Sequence, residues 1–305
     1  MGVGISVAMA SYNGRKYIRE QLESIMRQSI KVDQLVIIDD ASPEKSEDII
    51  RSCIEGHDCE LVYRVHEENR GYAQTFLEAL SLTTGEYVFL ADQDDIWEED
   101  KVKISIQTMR ENPSILCLSS CNTLIDGEGK KIRQEKTKGA KLQKISAEEL
   151  ILQKKLRPGM SLVLRDTVVR RLEALDTSDY RQHDRLVEYL AVMEDGFYLL
   201  NEYLNRYRIH GENTSGLNLS HFTPRTGREG RLQQIDKELD YLKLIRPYDP
   251  RYEALIDKSS RFFAVRRSLL ERKKVIPFVF KSLSVLYGYR GIRVWLGDMR
   301  SIIKG

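Results

Sequence analysis

Asp92, Asp94 and Asp95 fall within four residues of one another, directly after the apolar run Tyr87-Val88-Phe89-Leu90-Ala91. Carboxylates this close repel, and they persist together only with a cation, a proton or full solvation. An acid-rich turn of this kind can hold a hard divalent cation such as Mg2+ or Mn2+, which takes one or two carboxylates and completes its shell with substrate phosphates. The implied substrate is a nucleotide diphosphate. A single Asp here would read as an N-cap for the helix expected near Trp97, but three acids exceed what capping needs.

The run that delivers these acids reads as a strand buried on both faces, and ligands of open α/β sheets bind beyond the carboxyl ends of such strands. The flanking sequence supplies the rest of the sheet. Val3 to Ala10 reads as a strand, Ser11-Tyr12-Asn13-Gly14 as a turn, and Lys16 to Gln28 as a helix. Gln34 to Ile38 is a second strand ending in Asp39-Asp40, with Ser42-Pro43-Glu44 opening a helix through Cys53. Leu61 to Val65 is a third strand, Tyr72 to Leu82 a helix, and Thr83-Thr84-Gly85-Glu86 a turn into the acid-bearing strand. Lys101 to Glu111 reads as a helix, and Ile115 to Leu118 and Thr123 to Ile125 as extended pieces. Asp126-Gly127-Glu128-Gly129 has the composition of a hairpin turn. The polar, basic stretch from Gln134 to Lys144 is expected to be a mobile loop near the site or a solvated excursion. Ser146 to Gln153 and Leu186 to Met193 read as helices, Met160 to Leu164 as a strand, and Gly196 to Leu204 leads to Tyr207-Arg208-Ile209-His210-Gly211-Glu212-Asn213. Alternating strands and helices predict an α/β fold with a mostly parallel central sheet flanked by helices. Near Gly216 the pattern changes to long helices, which divides the chain into 1–215 and a helical appendage, 216–305, with no internal repeat.

Composition narrows the class further. With 305 residues, 41% hydrophobic and 31% charged, the chain can build one large α/β domain and an appendage. The N-terminal apolar stretch lacks a basic leader and is too short for a signal peptide, and no run reaches the length of a membrane span. Cys53, Cys59, Cys117 and Cys121 lack zinc-site spacing, and free thiols in a reducing cytosol are the simpler expectation. The net charge of +2 conceals an asymmetry, because residues 251–305 hold 13 Lys or Arg against 4 acids.

Three strand ends now carry polar groups that can converge on one nucleotide. With Ala10-Ser11-Tyr12-Asn13, Ile38-Asp39-Asp40-Ala41-Ser42, Asn69-Arg70-Gly71, Asp92-Gln93-Asp94-Asp95-Ile96-Trp97, His183-Asp184 and the Tyr207 to Asn213 motif, the chain resembles the family 2 inverting glycosyltransferases of GT-A fold. The likeness is strongest to the bacterial cell-surface polysaccharide branch often described as rhamnosyltransferases, and it covers roughly residues 3–215. The resemblance implies a Rossmann-like GT-A domain, a nucleotide-sugar donor, a glycan or lipid-linked glycan acceptor, and Mn2+ or Mg2+. It implies that Ala10, Tyr12, Asp39, Asp40 and Asn69 line the nucleotide, a carboxylate such as Asp40 accepting from the ring N–H of a pyrimidine base. Asp92 would face the ribose, Asp94 with His210 would reach the metal, and Arg208 would add positive charge at the diphosphate. Asp184 is implied as the general base that takes the acceptor hydroxyl proton, with Glu194-Asp195 as the alternative. Gly159, His183 and Trp97 fall on the acceptor side; Met160-Ser161 and Arg185 depart from the usual residues, which affects acceptor contacts rather than chemistry.

From Arg261 onward aromatic, aliphatic and basic residues interleave, a pattern that suits contact with an anionic membrane surface, packing on the catalytic domain, or a homodimer. No nucleic-acid recognition motif accompanies the charge. The expected place is the cytoplasm, including the inner face of the plasma membrane. Among competing enzymes, a sugar-nucleotide nucleotidyltransferase would carry a Gly-rich phosphate loop after Val3 to Ala10, and none is present. A signalling receiver domain is shorter and needs no second acid cluster, and a non-catalytic nucleotide-sugar-binding relative would not need every acid found here.

Overall fold

Ile5, Val7 and Met9 alternate with the smaller Ser6, Ala8 and Ala10, so the first strand presents bulk to one side of the sheet and admits a helix at close range on the other. The computed structural model describes residues 4–152, 155–177, 182–210, 227–272, 274–289 and 291–304. In chain order the strands are β1 (Ile5–Ser11), β2 (Gln34–Asp39), β3 (Glu60–Val65), β4 (Tyr87–Ala91), β5 (Ile96–Trp97), β6 (Cys117–Ile125), β7 (Lys131–Gln134), β8 (Leu142–Lys144), β9 (Leu162–Arg165) and β10 (Phe197–Arg208). The helices are α1 (Ile18–Met26), α2 (Glu47–Ile54), α3 (Tyr72–Ser81), α4 (Lys101–Glu111), α5 (Ala147–Ile151), α6 (Asp166–Glu173), α7 (His183–Met193), α8 (Arg228–Ile245), α9 (Glu253–Arg272), α10 (Val275–Leu283) and α11 (Ile292–Lys304).

The sheet runs β3-β2-β1-β4-β9-β6-β10-β5, with β7 on β6 and β8 on β10. β3, β2, β1 and β4 are parallel, β9 is antiparallel to both β4 and β6, and β10 is parallel to β6. The ends of β1, β2, β4, β6 and β10 therefore open onto one edge. This is an α/β architecture of GT-A type. On one face α1 buries Ile18, Leu22 and Ile25, and α4 buries Val102, Ile106 and Met109, in a cluster with Val7, Met9, Leu35, Ile37 and Phe89. Each such side chain contributes roughly 1.5–3 kcal/mol on burial. α3 packs on β1 and β2, with α6 and α7 beside it.

Two expectations change. The extended pieces around residues 115–118 and 123–125 form the single strand β6 from Cys117, because Ser119, Ser120 and Asn122 between them are buried and satisfied rather than exposed. Ser119 Oγ meets Ser161 Oγ at 2.8 Å, and Asn205 Nδ2 donates to Ser120 Oγ at 2.8 Å. The basic stretch 134–144 is not wholly a loop: it contains β8 and the last residue of β7, short strands that pair antiparallel with β10 and β6. The hairpin turn at Asp126 closes between β6 and β7, where the Asp126 amide donates to the Lys130 carbonyl at 3.0 Å.

The chain divides into one unit of Met1–Ser146 with Leu156–His210 and another of Ala147–Lys155 with Gly211–Gly305. Gly211, Glu212, Asn213 and the boundary expected at 215–216 lie outside the described residues. In the second unit α8 packs on α9, α9 on α10 and α10 on α11. Asp298, fully buried there, is held by Arg231 Nη1 at 2.8 Å, by Arg266 Nε at 2.6 Å and by the Tyr289 hydroxyl at 3.2 Å.

Candidate active site

Gln93 ties the acid-bearing turn to the end of β1. Its Oε1 accepts from Ser11 Oγ and from the Tyr12 amide, both at 2.9 Å, and its Nε2 donates to the Tyr12 carbonyl at 2.8 Å. Gly14 makes this possible, because a Cβ there would lie 2.9 Å from the Gln93 Cδ. Asn13 adopts φ 53° and donates its amide to Ser42 Oγ at 2.9 Å, so the turns after β1 and β2 are joined as well. Ala10 is partly exposed at this edge and Tyr12 is exposed beyond it.

At the end of β2 the two aspartates differ. Asp39 Oδ1 accepts from the Ser42 amide at 2.7 Å, while its Oδ2 is buried without a partner among the described residues. Asp40 organises the next loop: Oδ1 accepts from the Arg70 amide at 2.8 Å and lies 2.8 Å from His66 Nδ1, and Oδ2 accepts from the Gly71 amide at 2.8 Å. Gly71 has φ 85°, a conformation that favours glycine and that turns its amide to the carboxylate. Burial works to raise the Asp40 pKa, but the Arg70 amide, the His66 ring and the Gly71 amide outweigh it and hold the carboxyl below its ordinary range. Asn69 Nδ2 donates to the Asp40 carbonyl at 3.2 Å. The far side of His66 lies 2.9 Å from Glu78 Oε2 on α3, a partner that no local motif announces.

Between these turns stands the acid cluster. One carboxylate oxygen from each of Asp92, Asp94 and Asp95 can lie within 4.8 Å of the others. Asp95 is fully buried, and its Oδ1 accepts from the Arg208 amide at 2.8 Å, which pins the end of β10 to the turn. Asp92 and Asp94 remain partly exposed, and His210 Nε2 sits 2.7 Å from Asp94 Oδ2. Burial raises the Asp92 pKa to about 7, the charges of Asp94 and Asp184 add to the rise, and Lys101 opposes it. Burial likewise pushes Asp95 well up, again with Asp94 and Asp92 contributing. Two partly exposed carboxylates with an imidazole beside them are a donor set that suits Mn2+ or Mg2+, and their residual repulsion is what a cation would relieve.

Arg208 is almost fully buried. Its Nε donates to the Asp94 carbonyl at 2.7 Å, its Nη1 to the Gly127 carbonyl at 3.2 Å, and its Nη2 to Glu20, while the guanidinium lies 4.7 Å from the centre of the Tyr17 ring. This arrangement joins the ends of β4, β6 and β10. Lys101 is the countercharge that the sequence reading passed over: fully buried, it donates to the Met160 carbonyl at 3.0 Å and lies 3.8 Å above the Trp97 ring. Desolvation lowers its pKa well below the usual lysine value, against the pull of Asp95 and Asp92. A signal existed, since Lys101 precedes Ser105 and Met109 by four and eight residues on the buried stripe of α4.

Asp184 lies in the first turn of α7 and its Oδ1 accepts from the Arg185 amide at 2.9 Å. Its charge acts on both Asp92 and Tyr72, which puts it at the same edge as the acid cluster. His183 is stacked on Phe76, centroids 4.0 Å apart, and burial lowers its pKa to about 4. Gly159 packs against both, a Cβ there falling 3.1 Å from His183 Nε2 and 3.4 Å from Asp184 Cβ. Behind them Glu188, fully buried with a pKa raised well above normal by burial, accepts from the Arg157 amide at 3.1 Å. Glu194 and Asp195 stand roughly 15 Å along α7 at its other end, where Asp195 pairs with Lys144 at 2.9 Å beside the start of β10. Trp97 is in the core, with its ring 5.5 Å from Phe89, and does not reach the open edge.

The profile of Glycosyl transferase family 2 matches residues 6–172. An uncharacterized glycosyltransferase of Nostoc sp. is 28% identical over 214 residues, 68% of this chain and 66% of the relative. The putative teichuronic acid biosynthesis glycosyltransferase TuaG of Bacillus subtilis is 36% identical over 108 residues, 35% of this chain and 42% of its own length. The match spans less than two thirds of either relative. Among solved structures, S. aureus TarS 1-349 in complex with UDP-GlcNAc aligns over 87% of this chain and 72% of that chain with TM-score 0.61 and 18% identity. Mannosyltransferase PcManGT from Pyrobaculum calidifontis in complex with GDP-Man and Mn2+ aligns over 99% and 86% with TM-score 0.59 and 16% identity. These two are likenesses of fold.

Proposed function

The chain belongs to glycosyl transferase family 2, and from that premise we propose that it is a metal-dependent inverting glycosyltransferase moving a sugar from a dTDP- or UDP-sugar to a surface glycan. The observation that carries the reading is the convergence of Asp92, Asp94 and His210 with the charge of Asp184 at one sheet edge. The UDP-GlcNAc bound to TarS and the GDP-Man and Mn2+ bound to the mannosyltransferase support a nucleotide-sugar donor and a divalent cation. The teichuronic acid biosynthesis for which TuaG is named supports a polysaccharide acceptor, and rhamnose is proposed only from the likeness to the rhamnosyltransferase branch.

In this reading the nucleobase lies over the ends of β1 and β2. Asp40 already receives the Arg70 and Gly71 amides, the His66 ring and the Thr75 side chain, so it would meet a base N–H only by sharing an oxygen with one of these. Asp39 Oδ2, buried and without a partner among the described residues, is the acceptor left over at this edge. Asp94 and His210, with Asp92 beside them, would hold Mn2+ or Mg2+, which when bound acts as a Lewis acid on the diphosphate. Asp184 accepts the proton from the acceptor hydroxyl as its oxygen forms a bond to the anomeric carbon, and the bond from that carbon to the diphosphate oxygen breaks on the opposite face. Arg208 acts through Asp94, fixing its backbone.

The test is a pair of variants. Asp184→Asn is expected to lower transfer by about 10²–10⁴ while leaving Mn2+-dependent stabilisation by UDP intact. Asp94→Asn is expected to lose that metal-dependent stabilisation. Full transfer by Asp184→Asn would remove the assigned base, and equal UDP binding with and without Mn2+ in the wild type would remove the metal.

A further inference from the structure

α10 is apolar on two opposite faces. Inward, Phe278 is fully buried with its ring 5.6 Å from Trp295 of α11, and Trp295 Nε1 donates to the buried Ser282 Oγ at 2.8 Å. Outward, Ile276, Phe280 and Leu283, spaced i, i+4 and i+7, are 71%, 70% and 54% exposed. A helix apolar all round belongs in an interior, and among the described residues nothing covers the outward stripe.

The charge around the stripe says what covers it. From Arg272 to Gly297 the chain has no Asp or Glu and six Lys or Arg. Four of these are exposed among the described residues, including Lys274 at the helix start and Lys281 beside Phe280. A second copy of this chain would bring like charges together, whereas an anionic bilayer accepts apolar side chains at its acyl boundary and ammonium groups among its phosphates. The helix has nine residues and lies flat rather than spanning, and no helix among the described residues is long and apolar enough to cross a membrane.

We propose that the Ile276, Phe280 and Leu283 face of α10, rimmed by Lys274 and Lys281, docks on an anionic lipid bilayer as a monotopic anchor. This goes beyond the sugar-transfer reading and does not depend on it. The test is flotation of the full chain with vesicles of equal parts phosphatidylglycerol and phosphatidylcholine, against vesicles of phosphatidylcholine alone. The chain is expected to float with the anionic vesicles only, and less well at high salt. Ile276→Ser, Phe280→Ser and Leu283→Ser together are expected to lower the bound fraction roughly tenfold or more with an unchanged melting temperature. Lys274→Ala with Lys281→Ala is expected to lower it several-fold, roughly the effect of removing two surface charges, and serves as the readout should the apolar variant melt early. No flotation of the intact chain, or equal flotation by both variants, overturns the proposal. So does a dimer in light scattering that the apolar variant converts to monomer without any vesicle binding.

Discussion

Asp40→Asn separates the architectural role of this residue from base recognition. The carboxylate receives the amides of Arg70 and Gly71 and faces His66, each at 2.8 Å. Asparagine keeps one acceptor oxygen and turns an N–H donor toward either the Gly71 amide or the Arg70 and His66 pair. One charge-assisted bond, worth about 1.5–3 kcal/mol, is lost outright and the others become neutral and weaker, a total of about 3 kcal/mol. At roughly 2–4 °C per kcal/mol for a unit of this size, the melting temperature falls by about 6–12 °C. The native pKa of Asp40 lies below its unfolded value of 3.8, so its contribution is complete above about pH 4 and is lost as pH falls through the native value. The gap between wild type and variant, followed by circular dichroism melts, is therefore constant from about pH 5 to 8 and narrows in stronger acid. A variant melting within about 2 °C of wild type at pH 7, with only nucleotide affinity reduced, would refute the reasoning.

Two other outcomes follow from the same site. Asp92 has a native pKa of about 7 against 3.8, so the native state retains a proton that the unfolded chain releases, and this group's contribution falls as pH rises from about 4 to 7. His183, lowered from 6.5 to about 4, acts in the opposite sense below pH 6.5, so melts between about pH 6.5 and 7.5 isolate Asp92; Mn2+ is expected to flatten the decline, and a decline unchanged in Asp92→Asn would contradict the assignment. Gly14→Ala forces Gln93 from the end of β1 and is expected to cost about 1–3 kcal/mol in urea unfolding and to weaken UDP binding measured by calorimetry, while unchanged stability would show that the Gln93 clamp yields freely.

The strands that carry acids were legible because each is an apolar run closed by a polar turn, and the order of β1, β2 and β4 with their crossover helices follows from that alternation. What the sequence withheld were partners brought together over long separations. Glu20 and Arg208 meet across 188 positions, and nothing local in α1 marks Glu20 as the mate of a β10 arginine. His66 reads as an ordinary loop residue until Asp40 and Glu78 are seen on its two sides. Trp97 failed for a different reason. The resemblance implies an acceptor-side place for it, yet in the two-residue strand β5 it is Ile96 that stays partly exposed and Trp97 that turns to the core, and a period of two lets one position decide the face.

The charge arrangement explains why the edge is built this way. Asp92, Asp94 and Asp95 place three carboxylates in a partly desolvated turn, and the basic side chains nearby are committed elsewhere. Arg208 is held by Glu20 and by the carbonyls of Asp94 and Gly127, and Lys101 by the Met160 carbonyl and the Trp97 ring. The repulsion is relieved by protons instead, as the raised pKa values of Asp92 and Asp95 record. A proton on Asp92 is the easier one to give up, because Asp95 is fully buried and its desolvation outweighs the Arg208 amide, which favours the charged form. Deprotonation near neutral pH then leaves a partly exposed carboxylate beside Asp94 and His210, at the one edge where the ends of β1, β2, β4, β6 and β10 meet. The fold thus keeps a site of unbalanced negative charge that a cation and a diphosphate can complete together, and Asp95 and Lys101 serve to hold that imbalance in place rather than to cancel it.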